Sequence, residues 1–183
     1  MVDILAGKLL IADPFLRDPN FVRSVVFICE HKDEGSFGFV LNKKYGQRLG
    51  ELVKDLALSD VPVYYGGPVQ IDTLHFLHQR PDLIPDGVIV TDEIFWGGDF
   101  ETVVELIKDN RLTDRDIRFF IGYSGWGEGQ LQEEMKSKSW IIGEGTRKLI
   151  FPAEVDNTWK DALKQLGGEY LQLINYPLDP QLN

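Results

Sequence analysis

The residues with the chemistry for catalysis are Ser124, which lies between a strand-like and a helix-like run, the histidines His31, His75 and His78, and the single cysteine Cys29. A hydrolase serine sits on a sharp strand-to-helix turn, because that geometry lifts its Oγ clear of the sheet. The spacing here is Gly122, Ser124, Gly125, and Trp126 stands where the G-x-S-x-G pattern needs glycine. A serine nucleophile also needs a base, and spacing selects none of the histidines. A hydrolase-type site at the 122–130 turn therefore stands as the alternative reading, with no catalytic residue assigned and the balance leaning against an enzyme. The run Gly125-Trp126-Gly127-Glu128-Gly129 opens a helix, as phosphate cradles do. It lacks the fingerprint glycine at Gln130 and has no Walker lysine. Glu128 would also set a negative charge against the phosphate, so the run reads as a structural turn.

Metal and thiol chemistry fare no better. His75 and His78 fall in strand-like residues 73–79, where an odd spacing sends the two rings to opposite faces. His31, beside Glu30 and Asp33, supplies donors without a ligand spacing. Cys29 lies in an apolar run and reads as a buried, inert thiol, and one cysteine allows neither an intramolecular disulfide nor a cysteine-rich zinc site. No metal and no cofactor is expected.

Recognition is the stronger reading. Tyr64, Tyr65, Trp96, Tyr123 and Trp126 all sit at or beside glycine-rich turns, where aromatic groups can anchor a ligand or a partner. With the side-chain amides of Asn42 and Gln130, this makes Asn42, Gly66, Gly67, Tyr123, Ser124, Trp126 and Gln130 the candidate binding residues. The function they suggest is a non-catalytic regulatory module that binds a small molecule or a protein.

The elements that must position these groups follow from hydrophobic period and turn chemistry. Strands are expected at residues 8–12, 24–30 and 37–41, the last two joined as a hairpin through the polar loop 31–35. Further strands are expected at 63–65, 73–79, 87–91, 117–121, 140–142 and 169–175. Leu49, Leu52, Val53 and Leu56 share one face of a helix, as do Phe100, Val103, Val104 and Ile107 behind an Asp99 cap. A helix follows Gln130. Another, capped by Asn157, carries Trp159, Ala162, Leu163 and Leu166 to a stop at Gly167. The glycines from Gly122 to Gly129 read as the bend between strand and helix. Helices interspersed without a βαβ rhythm favour an α+β fold over a doubly wound parallel sheet.

A length of 183 residues fits one domain, 1–183, with residues 178–183 as a surface tail. The net charge of −10 and scattered cations disfavour direct nucleic-acid binding. The densest cations are Lys43, Lys44 and Arg48, then Arg111, Arg115 and Arg118 interleaved with Asp114 and Asp116. No apolar run approaches the ~20 residues a membrane span needs, and the N-terminus shows no signal-like segment, so the expectation is no membrane and a cytoplasmic location.

The assembled blocks resemble the AlgH/YqgE family of bacterial proteins. They are Gly7-x-Leu9-Leu10-Ile11-Ala12, Asp18-Pro19-x-Phe21, Ser24-Val25-Val26, Glu30-His31, Gly38-x-Val40-Leu41-Asn42, Gly66-Gly67-Pro68-Val69 and Gly122-Tyr123-Ser124-Gly125-Trp126-x-x-Gly129-Gln130-Leu131, over about residues 7–177. The resemblance implies an α+β fold with a barrel-like core of mostly antiparallel sheets and flanking helices. It also implies a label of transcriptional regulation, drawn from exopolysaccharide control. Direct DNA binding follows from that label as a second alternative. The family has no established activity or cofactor, so no catalytic residue carries over. Two departures stand out: Ser124 where alanine is common, and Asn42-Lys43-Lys44 where Asn-Arg-Pro is usual.

Overall fold

The structure, a computed structural model, describes residues 5–178. In chain order it contains β1 (Lys8–Ala12), β2 (Val25–Lys32), β3 (Gly35–Val40), β4 (Lys44–Arg48), α1 (Leu49–Leu52), β5 (Pro62–Tyr65), β6 (Val69–His78), β7 (Val88–Ile89), β8 (Phe95–Trp96), α2 (Phe100–Lys108), β9 (Ile117–Gly127), α3 (Gln130–Lys136), β10 (Trp140–Glu144), α4 (Arg147–Ile150) and α5 (Thr158–Leu166). Short 3-10 turns add Lys54–Leu56, Val155–Asn157 and Gly168–Asn175. The fold is α+β, and among the described residues no helix is long and apolar enough to cross a membrane.

Among the described residues ten strands make one mostly antiparallel sheet in the order β10-β1-β2-β3-β9-β6-β8-β7, with β4 attached through β5 to β9. Its edges β10 and β7 do not meet. The sheet wraps around a core without closing into a barrel. The β2–β3 hairpin is present and tighter than its polar residues suggest, since β2 runs to Lys32 and only Asp33 and Glu34 remain in the turn.

Strand β9 is the hub. Its first half pairs antiparallel with β6 on one edge and parallel with β5 on the other (Val63↔Phe119 to Tyr65↔Ile121); its second half pairs with β3 (Gly38↔Ser124 to Gly35↔Gly127). The glycines from Gly122 to Gly127, expected as a bend, are therefore strand. Only Gly122 is required by close approach, since a Cβ there would collide with the Gly67 carbonyl; Gly127 has open space around it.

Three apolar clusters hold the layers. The inner one joins Leu9, Ile11, Phe27, Phe39, Leu77 and Phe120 from the sheet to Leu149, Trp159 and Leu163 from α4 and α5. On the outer face, Phe76, Phe119 and Ile121 pack beneath Val103, Val104 and Leu106 of α2. Beside them, Leu10, Val26, Val40 and Trp126 pack beneath Leu131 of α3 and Trp140 of β10. Each fully buried phenylalanine contributes about 1.5–3 kcal/mol.

Local expectations were met at most elements, with informative exceptions. Asp99 caps α2 by accepting from the Thr102 N–H at 3.1 Å. Residues 49–56 do not form one helix: Val53 is extended (φ −117°), and Gly50 packs so close to the Leu56 carbonyl that the segment must fold back. The strand expected at 169–175 is the 3-10 segment Gly168–Asn175, and Tyr170, Leu173 and Ile174 meet the inner cluster at helical spacing. Asn157 holds the cap position of α5 without a side-chain bond to it. The tail beyond Leu178 lies outside the described residues.

Candidate binding site

Gly122 is the residue on which the hub turns. Its φ of +66° lies in the left-handed region that favours glycine, and the β6–β9 register shifts between Val69 and Leu74 at the same level. Phe120 faces the inner cluster and Ile121 the outer one; past Gly122 the alternation slips by one, so Tyr123 faces inward and Trp126 outward. A Cβ on Gly122 would lie 2.5 Å from the Gly67 carbonyl oxygen.

Gly66, Gly67 and Ser124 form the knot beside it. The Gly66 N–H donates to the Ile121 carbonyl at 2.8 Å, and the Gly66 carbonyl accepts from the Val40 N–H at 2.8 Å and the Ser124 hydroxyl at 3.0 Å. Ser124 is 0% exposed, so its hydroxyl proton is committed to a backbone acceptor away from solvent. Trp126 lies 4% exposed beneath α3, with its indole N–H donating to Glu134 Oε2 at 2.9 Å. The Trp140 indole N–H donates to the same oxygen at 2.7 Å, and Gln130 bridges the Gly127 N–H to Glu134 Oε1. Glu134 thus ties α3 to two tryptophans, a role no sequence spacing announced.

Tyr123 joins a different group. Its ring meets Phe37 at 6.0 Å and His75 at 6.0 Å, edge-on in both cases, and Phe37 meets Trp96 at 4.7 Å. His75 bonds Thr73 Oγ1 at 3.0 Å, and burial lowers its pKa. His78 lies on the opposite face, stacked on Phe95. It is fully buried; its Nδ1 accepts from the Arg80 N–H at 3.1 Å, which makes Nε2 the donor to the Gly97 carbonyl at 3.0 Å. His31 Nδ1 pairs across the hairpin with Ser36 Oγ at 2.6 Å. Burial drives the Cys29 thiol well above its ordinary pKa.

Asn42 lies apart from the glycine strand, in a cleft of about 620 Å³ between the end of β3, α5 and the C-terminal 3-10 segment. Its Oδ1 accepts from the Val25 N–H at 3.0 Å and its Nδ2 donates to the Arg23 carbonyl at 2.9 Å, clamping the chain that enters β2. Arg23 has a left-handed backbone (φ +53°), uncommon for a non-glycine residue. Its guanidinium sits 4.2 Å over the Trp159 ring and donates to the carbonyls of Tyr176 (2.6 Å) and Pro177 (3.0 Å). Lys43 donates to the Pro19 carbonyl at 3.0 Å, and Lys160 and Asp156 complete the rim. Burial lowers the pKa of both Arg23 and Lys43.

A family model described as AlgH-like matches residues 9–171. The chain belongs to the AlgH-like family. It is 42% identical to a UPF0301 protein of Cytophaga hutchinsonii over 97% of this chain and 98% of that one. It is 36% identical to a UPF0301 protein of Bacteroides thetaiotaomicron over 97% and 90%. Among solved structures, the AlgH protein from Pseudomonas aeruginosa superposes with a TM-score of 0.73 at 25% identity, covering 94% of both chains. A Corynebacterium diphtheriae protein superposes with a TM-score of 0.82 at 18% identity, covering 96% of this chain and 94% of that one, a likeness of fold alone. The AlgH-like match takes in the hub strand, the Gly66 knot, Asn42 and Trp159, and ends before the cleft wall at Ile174 and Tyr176. Of the seven candidate residues, the AlgH-like fold gathers Gly66, Gly67 and Ser124 into one knot. Trp126 and Gln130 share Glu134, and Asn42 and Tyr123 occupy separate surroundings. Arg23, Trp159 and Lys160 went unremarked in sequence as binding groups, because only folding brings residues 23, 42 and 159 together.

Proposed function

We propose that the protein is a non-catalytic regulatory module of the cytoplasm that takes a small molecule, or a short segment of a protein partner, into the cleft at Asn42. The carrying observation is the cleft itself. At about 620 Å³ it falls within the roughly 300–1,000 Å³ range of small-molecule sites. Its walls combine an aromatic floor at Trp159 with polar groups from Arg23, Asn42 and Lys43. The left-handed backbone of Arg23 adds local strain, a feature that collects at ligand clamps. Gly66, Gly67, Ser124, Trp126 and Gln130 act in this reading as scaffold that fixes the sheet and α3, and Tyr123 packs in a separate aromatic group.

The test is native mass spectrometry of the protein after incubation with a bacterial small-molecule extract, on wild type and on Lys160→Glu. Lys160 is exposed at the rim, so its reversal leaves the fold in place. A bound mass present in wild type and depleted at least tenfold in Lys160→Glu is the expected result. Equal occupancy in both proteins would sink the assignment of this cleft.

A second reading, a hydrolase, has one observation in its favour: the 2.6 Å contact of His31 Nδ1 with Ser36 Oγ. Turnover of activated esters that disappears in His31→Ala would support it. Background rates unchanged by that substitution and by Ser36→Ala would remove it.

A further inference from the structure

Among the described residues, Arg118 alone has two buried side-chain nitrogens without a partner. It is 4% exposed on the inner face of β9, and its Nε and Nη1 are buried without a hydrogen-bond partner among the described residues. Nη2 alone is bonded, donating to the Pro152 carbonyl at 2.8 Å, while the guanidinium lies 4.7 Å over the Tyr64 ring. Burial lowers its pKa, with Tyr64 and Asp114 opposing. A buried cation left with two unpaired N–H groups is costly unless a negative charge compensates it.

A cleft lined by several cations adjoins the segment to which Arg118 is bonded. Arg118 pairs with Leu77 and Ile117 with His78, and just beyond them the Gln79 N–H donates to the Asp116 carbonyl at 3.0 Å. Gln79 and Asp116 line this cleft of about 430 Å³, whose far wall is Phe151 and Ala153. Arg118 does not itself line the cleft, but it is bonded to Pro152, which lies in the chain between the lining residues Phe151 and Ala153. The cleft is also lined by Arg80, Arg115, Arg147 and Lys148. Arg80 is held by Asp82 (2.7 Å) and Asp116 (3.5 Å), and Arg147 by Gln79 and Glu93. Arg115 and Lys148 are exposed and take part in no ion pair among the described residues. In a chain of net charge −10, this is a concentration of positive charge that sequence order, with Asp114 and Asp116 interleaved, conceals.

We propose that this cleft is an oxyanion site for the phosphate group of a small phosphorylated ligand, separate from the cleft at Asn42. Arg115 and Lys148 make the direct contacts, Arg147 is oriented toward it through Gln79, and Arg118, bonded to Pro152, supplies fixed positive charge. A phosphate fits because its two negative charges and several acceptor oxygens can engage more than one cation at once. The volume suits a small ligand, and the acidic remainder of the surface opposes a polyanion such as a nucleic-acid duplex.

The test is an amide NMR titration with inorganic phosphate at constant ionic strength, with sodium chloride as the matched control and a short DNA duplex as a second arm. Saturable shifts confined to residues 79–80, 115–118 and 147–153 are expected with phosphate and absent with chloride. Arg115→Ala and Lys148→Ala, both exposed and expected to fold normally, should each weaken phosphate binding about tenfold, the loss of one charge-assisted hydrogen bond. Arg118→Lys should retain part of the affinity, because a cation remains in place. Non-saturable shifts, shifts reproduced by chloride, or unchanged affinity in both alanine variants would overturn the proposal. So would saturable binding of the duplex without binding of phosphate.

Discussion

His78 shows how this protein satisfies a buried polar side chain. Both ring nitrogens are used, Nδ1 as acceptor from Arg80 and Nε2 as donor to Gly97, which fixes a neutral tautomer in an apolar layer. Burial pushes His78 below its ordinary pKa of 6.5, only partly offset by the Gly97 bond and Asp82, and burial likewise pushes His75 down. Between the folded values and 6.5 the unfolded chain binds protons that the folded chain refuses. Their contribution to stability is therefore complete above that range and is lost as pH falls through it. Urea midpoints should drop between pH 7.5 and pH 5, and His75→Phe, which keeps the ring in its aromatic group, should flatten part of that slope. At the Gly66 knot, Ser124→Ala removes one of two bonds to a carbonyl that Val40 still serves. It should cost only about 1 kcal/mol. Gly66→Ala places a Cβ 2.4 Å from the Gly122 carbonyl oxygen and should cost several times more in the same denaturation experiment.

At the scale of elements, β9 carries the organisation. It holds β6 from Ile117 to Tyr123 and β5 from Phe119 to Ile121, then takes β3 as its partner from Ser124 to Gly127. The slip in alternation there gives Trp126 to the outer layer and Tyr123 to the inner aromatic group. Substitution at two glycines with similar left-handed angles separates conformational from steric requirement. Gly129 (φ +72°) has nothing within 4 Å of the place a methyl group would take, so Gly129→Ala should cost about 1 kcal/mol. Gly122 (φ +66°) adds the collision with Gly67, so Gly122→Ala should cost about 2–4 kcal/mol and shift Tyr123 and Trp126 resonances together. Equal costs at the two sites would contradict the hub assignment.

The molecule as a whole is acidic, and its positive charge is uneven. At net −10, the protein should show no retention of a DNA duplex in gel shift even at low salt, whatever the cleft near Arg115 does with small anions. A complex that tightens steeply as salt is lowered would reverse that expectation. The apolar layers explain how such a charge is tolerated: three clusters close both faces of the sheet, leaving the carboxylates on a surface where water screens their repulsion.

Features that depend on neighbours along the chain were legible in the order of residues. Alternating and β-branched runs marked β1, β2, β3, β5 and β6, a side-chain cap and a 3.6-residue stripe marked α2, and the seven blocks marked the family, whose α+β fold the structure shares. What that order left undecided depends on contacts between distant residues. Four glycines from Gly122 to Gly129 look like a bend when only local freedom is considered, because the pairing that makes 122–127 a strand comes from β3 and β6. Residues 169–175 alternate like a strand, yet no strand edge receives them and the inner cluster takes Tyr170, Leu173 and Ile174 at helical spacing. The candidate sites divide in the same way. Glycines, aromatics and amides could be named from order alone, but the sharing of Glu134 by two tryptophans, the meeting of Arg23 with Trp159 and the burial of Arg118 against Pro152 and Tyr64 exist only in the folded chain. Hydrogen bonds and charge act over a few ångströms, and only the tertiary structure brings those residues that close.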